Sequence, residues 1–156
     1  LDNAASQPGE HVAAVADWLA HWPDGRIKMF LTACGVRLRQ RLAHVFLQGE
    51  YLSLVVEGEL AQHVVAFARR LDDEWVFAVA PRLVAPLTGS KLALPVGAGV
   101  WAETRLRLPP GCPPTCLRNA FTRESVTVTS EAEGCSVLVA DVLSACPVAL
   151  LTPEHP

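Results

Sequence analysis

The chain has 156 residues, of which 51% are hydrophobic and 19% charged, and its formal net charge is -3. That is enough for one domain with a packed core, and it excludes wholesale disorder. The slightly acidic balance, with no basic patch interleaved with aromatics, makes no case for nucleic acid as a partner. No apolar run nears the ~20 residues that span a bilayer, so no membrane partner is expected. Five cysteines, an odd number spread widely along the chain, read as reduced thiols in a cytoplasmic protein. No signal peptide is visible, and the start at Leu1 rather than Met reads as the edge of a longer polypeptide.

Leu1 to Gln7 shows no periodicity and reads as a frayed end. Val12, Val15, Leu19 and Trp22 fall on one face of a helix predicted from about Glu10 to Trp22. Pro23-Asp24-Gly25 breaks that helix and restarts the chain. Asp24 to Phe46 then reads as the main helix, with Asp24 as its N-cap. Ile27, Phe30, Leu31, Cys34, Leu38, Leu42 and Val45 recur at spacings of three and four, which makes one apolar stripe. Arg37, Arg39, Gln40 and Arg41 lie off it and read as a solvated face or partner-docking charges. Met29, Ala33 and Val36 make a second apolar strip on nearly the opposite side. A helix with two apolar faces wants two neighbours, and the β-structure that follows is expected to cover only one.

Beyond Gly49 the pattern becomes β. Tyr51 to Glu57 reads as one strand. His63 to Arg70 and Trp75 to Ala80 read as a hairpin turning at Asp72-Asp73. Both alternating sets of these two strands are apolar, so they are expected at the centre of a sheet, covered on both sides. Pro81 to Gly99 reads as a long irregular connection, and Val100 to Leu108 as a strand with one polar face. Arg118 to Thr122 is expected to pair with Val126 to Thr129. Ser136 to Ala140 and the end of Leu143 to Leu151 complete seven or eight short strands. The fold class is thus α+β, mainly β: two N-terminal helices followed by an antiparallel β-sandwich with Greek-key links.

Residues able to carry chemistry are few. Cys112 and Cys116 have three residues between them and could share one ion, but tetrahedral zinc needs four ligands and no second pair lies nearby. Cys34, Cys135 and Cys146 read as small core hydrophobes. His11, His21, His44, His63 and His155 lack metal-ligand spacing, and no nucleophile elbow or glycine-rich phosphate loop is present. Ser125 and Ser130 have no visible base. Asp72-Asp73-Glu74 could suggest a carboxylate pair for glycoside chemistry, but neighbours in a hairpin turn point apart into water. Trp75 and Trp101 could stack on a sugar. The favoured reading places Trp75 at the root of the hairpin and Trp101 over a sheet face. No catalytic, substrate-binding or metal residue is assigned, and no cofactor is expected.

WPDGRIKMFLTACGVRLRQ (Trp22 to Gln40), FLQGEYLSLVVEG (Phe46 to Gly58) and HVVAFARR (His63 to Arg70) resemble the C-terminal end of the maltooligosyl trehalose synthases. These are (1→4)-α-D-glucan 1-α-D-glucosylmutases of the α-amylase family of glycoside hydrolases. WAETRLRLP (Trp101 to Pro109) and PVALL (Pro147 to Leu151) continue the likeness, which covers roughly Val15 to Leu151. TACG in the main helix and the GCPPTC loop depart from the family pattern.

The resemblance implies a parent enzyme whose (β/α)8 barrel uses an Asp nucleophile, a Glu acid/base and a supporting Asp. It turns the reducing-end α-1,4 linkage of a maltooligosaccharide into the α,α-1,1 linkage of trehalose. A barrel needs about 200 residues or more, so this chain is expected to lack one and to be no enzyme by itself. Residues 1–48 would correspond to the end of the barrel, and 49–156 to an amylase-type C-terminal domain. The partner would be the absent barrel of the same polypeptide, with maltooligosaccharide reached through the parent enzyme. Two alternatives stand beside this reading: a carbohydrate-binding module for α-glucans, which predicts an exposed coplanar Trp or Tyr pair, and a free-standing protein-interaction domain.

Overall fold

The computed structural model describes residues 8–89, 93–112, 116–132 and 134–154. Leu1 to Gln7 and His155 lie outside them. Two helices open the chain: α1 (Pro8–Ala20) and, after a 3-10 turn at Trp22–Asp24, α2 (Arg26–Arg41). The amide of Gly25 closes the turn onto the Trp22 carbonyl at 3.2 Å. Its φ of 82° lies in the left-handed region that glycine enters without strain. This turn moves the N-cap one residue on from Asp24, to Gly25. The Asp24 carboxylate still accepts from the Arg26 amide at 2.9 Å and from its Nε at 2.7 Å. That backbone bond first, and the guanidinium second, holds its carboxyl below the ordinary 3.8.

The helix expected to run unbroken to Phe46 ends at Arg41. Leu42 leaves helical geometry (φ -110°, ψ 39°), and a short α3 (Ala43–Gln48) follows. The break leaves the stripe intact: Ile27, Phe30, Leu38 and Val45 are buried, while Leu31, Cys34 and Leu42 are half-buried. It also lays α3 against the hairpin, where Gly49 is obligatory. A Cβ there would sit 2.8 Å from the Arg70 carbonyl oxygen and collide with that of Val45.

Among the described residues, ten strands form two antiparallel sheets, more than the seven or eight expected. They are β1 (Glu50–Ser53), β2 (Val56–Glu57), β3 (Val64–Leu71), β4 (Glu74–Pro81), β5 (Arg105–Arg107), β6 (Cys116–Asn119), β7 (Ser125–Thr127), β8 (Thr129–Glu131), β9 (Gly134–Leu138) and β10 (Ala149–Pro153). The larger sheet runs β1-β3-β4-β10-β6-β7, the smaller β2-β5-β9-β8. The β3-β4 hairpin turns at Asp72 and Asp73, with Leu71 opposite Glu74.

The single strand expected over Tyr51 to Glu57 is a corner. The Leu54 amide bonds Ala66 in one sheet at 3.1 Å, and the Val55 carbonyl accepts from Arg107 in the other at 2.9 Å. Val100 to Leu108 is likewise not one strand. Ala98–Trp101 is a helical turn, and Ala102 (φ 46°) redirects the chain before β5. Residues 139 and 140, expected to end a strand, begin a helical turn, Val139–Val142.

Side chains alternate cleanly across the larger sheet. Trp75, Phe77, Val79, Leu117, Val126 and Leu151 point inward, where Leu106 and Val137 of the smaller sheet meet them in one core. Burial of that inner face is the main stabilising contribution. The outer face of the larger sheet is covered only in part. Val76 packs with Leu38 and Val45, and Phe121 packs with Val15, Leu19, Ile27 and Phe30. The expectation that both faces of β3 are buried fails at Val65, which is 45% exposed, and Phe67 is half-buried. The helices lie over the other end of the sheet.

Candidate functional site

The residues the sequence singled out for chemistry do not converge. Cys112 is buried and Cys116 half-buried at the start of β6; the residues between them lie outside those described. Burial pushes the Cys112 thiol up to about 11, and the nearby Cys135 adds to the shift. No three His, Cys, Asp or Glu side chains come together as a metal site among the described residues. Of the three cysteines read as core residues, Cys146 is buried and Cys34 and Cys135 are half-buried.

Each described histidine has a local partner. His63, buried, has Nδ1 3.0 Å from the Leu83 carbonyl oxygen. His44 pairs with Glu74, and His21 with Asp17. His11 lies 6.1 Å from the Phe30 ring; burial first, and Arg123 second, lowers its pKa. Asp72 and Asp73 are exposed at the hairpin turn, and Glu74 is engaged by His44, so the acidic run makes no facing pair. Ser125 donates to Glu154 at 3.0 Å. The Ser130 hydroxyl is 3.7 Å from the Cys135 sulfur.

Both candidate stacking tryptophans are in the core. Trp75 is parallel to Phe77 with ring centroids 5.7 Å apart. Trp101, expected over a sheet face, is fully buried and donates from its indole to the Pro95 carbonyl at 2.8 Å. Among the described residues, the large aromatics left open are Trp22 and Tyr51. Tyr51 stacks on Phe67 at 5.1 Å, with the Arg69 guanidinium over its ring.

Two apolar surfaces remain open. On the outer side of α2, Met29 is 61% and Val36 48% exposed, with Ala33 half-buried between them. On the larger sheet, Val65, Phe67, Ala78, Ala80 and Leu150 line a shallow cleft of about 260 Å³.

A third feature was not legible in the sequence. Arg37 and Arg41 of α2, Arg118 of β6 and Arg123 of the following turn line one cleft of about 300 Å³. Helical periodicity puts Arg37 and Arg41 on a solvated face and says nothing of the other two. Those lie far along the chain, and only strand pairing brings them to the helix. Arg123 adopts a φ of 64°, with its amide bonded to the Asn119 carbonyl at 2.9 Å.

No family model matches this chain, and a search of curated proteins finds no match. A solved structure of a mutant of maltooligosyltrehalose synthase from Arthrobacter ramosus shares its fold, with a TM-score of 0.60 and 24% identity. The likeness covers 90% of this chain and 17% of that one. The chain therefore has the fold of one segment of that synthase and spans about a sixth of its length.

Proposed function

We propose that this chain is the non-catalytic C-terminal domain of a maltooligosyl trehalose synthase, and that it supports the catalytic barrel of the same polypeptide. The observation that carries the reading is the fold likeness, which takes in nearly all of this chain and a small part of the enzyme. The exposed Met29, Ala33 and Val36 strip fits it: a helix apolar on two faces packs on its own sheet with one and on a larger body with the other. In this reading residues 1–48 correspond to the end of the barrel, the sandwich braces them, and the chemistry belongs wholly to the barrel. The burial of Trp75 and Trp101 weighs against the carbohydrate-binding alternative, which needs an open aromatic platform.

The test is an activity assay in two arms. The purified chain incubated with maltopentaose yields no trehalose-capped product. The polypeptide encoded by the whole reading frame, upstream of Leu1 included, yields it. Product from the isolated chain, or none from the whole polypeptide, would sink the proposal.

A further inference from the structure

The cleft between α2 and the β6-β7 end of the larger sheet gathers four guanidiniums from three separate elements. Arg37 and Arg41 come from one helical face, Arg118 from β6, and Arg123 from the turn that follows it. Asn119 and Thr152 also line it, and no carboxylate of the described residues does. Glu154 takes one bond from Arg118 at 2.9 Å, and Glu124 accepts from Ser144 at 2.9 Å. Asp73 and Glu74 line a neighbouring cleft that shares Arg41. The field of the cluster reaches its inner wall. Cys34 is half-buried there, and Arg123 and Arg37 both oppose the rise that burial imposes on its thiol.

One bland explanation covers part of the cluster. Arg39 and Arg41 sit in the last turn of α2, where cations complement the negative end of the helix dipole. It does not extend to Arg118 of β6 or to Arg123 of the turn that follows it. Four like charges placed around one concavity, in a chain of net charge -3, form an electrostatic focus rather than an average surface. Guanidinium is also the group whose planar fork matches phosphoryl oxygens two at a time.

We propose that this cleft is a binding site for the phosphoryl group of a small molecule, held between Arg41 of α2, Arg118 of β6 and Arg123 of the turn after it, with Arg37 completing the ring. On the trehalose-synthase reading, whose α-glucans are neutral, such a ligand would act as an effector and not as a substrate. The site does not depend on the trehalose-synthase reading. An anion bridging α2 to β6 would tie the helices to the sheet and stabilise the chain.

Calorimetric titration of the chain with pyrophosphate, inorganic phosphate and glucose 6-phosphate at matched ionic strength tests this, with maltose as the neutral control. At least one phosphoryl compound saturates a single site with a Kd of about 1 mM or tighter, and maltose gives no heat. The Arg41→Gln/Arg123→Gln pair weakens that binding by about tenfold or more, while Arg39→Gln, on the same helix but outside the cleft, changes it by less than about twofold. Should the double variant lose its far-ultraviolet spectrum, Arg41→Lys/Arg123→Lys keeps the charge and removes the fork, and weakened binding in that variant supports the site equally. No saturation by any anion up to about 10 mM, or equal weakening by Arg39→Gln, overturns the site and leaves the activity assay above untouched.

Discussion

The two outer faces of the sandwich are dressed for different surroundings. Over the smaller sheet, Arg107 of β5 bonds Glu57 of β2 at 2.8 Å and Glu131 of β8 at 2.7 Å, and Arg105 adds further pairs with Glu131 and Glu103 at 3.6 Å. That is a charged ladder suited to water. Over the larger sheet the same positions carry Val65, Phe67, Val76, Ala78 and Leu150, and helices cover only some of them. A sheet face that evolution leaves to solvent takes the first composition; a face that meets another body takes the second. The difference fits the proposal above, in which the larger sheet and the helices across it form the side that meets another body.

Breaking the helical cover should have the largest effect. Phe30 is buried, with its ring 4.9 Å from that of Trp18, and packs in the cluster that joins both helices to Phe121. Phe30→Ala should destabilise the chain by about 3–5 kcal/mol in urea denaturation, and the loss should appear as unfolding of the helices. Loss below about 1 kcal/mol would mean that the helices are not held by this contact.

The charged ladder should respond less, and through salt. Arg107→Ala should lower stability at low ionic strength and have little effect near 1 M salt, because exposed ion pairs are screened. A salt-independent loss would show that Arg107 acts through packing instead. A smaller effect still is expected at the helix entry. The Asp24 carboxyl has a folded pKa below the ordinary 3.8, so its contribution is present in full above that value and lost as pH falls through the folded pKa. The stability gap between the parent and Asp24→Ala should therefore narrow as pH drops below about 4; a gap that stays constant as pH falls would contradict the assigned bond.

Much of this was legible in the sequence because local period carries it. The Ile27 to Val45 stripe predicted the buried face of the helices, and Asp72-Asp73 between two apolar strands predicted the central hairpin. What escaped depends on contacts distant in sequence. Nothing local to Tyr51 to Glu57 reveals that Leu54 follows one sheet and Val55 the other. Trp101 fits an alternating strand by pattern, but its indole is drawn inward by the Pro95 carbonyl. The break at Leu42 falls inside a perfect helical stripe, since both sides of it bury the same face. The arginine cleft was invisible for the same reason: Arg118 and Arg123 join Arg37 and Arg41 only after β6 pairs with β10.

Met29 is the single methionine of the chain and lies at the centre of the claim that the outer side of α2 is a buried interface in a larger polypeptide. Its oxidation by dilute peroxide, followed by peptide mass mapping, measures that directly. The chain alone, with Met29 61% exposed, should oxidise at nearly the rate of a free methionine; in the polypeptide encoded by the whole reading frame it should be slowed by about tenfold or more. Equal rates in the two would leave the strip facing water in both and would contradict the account.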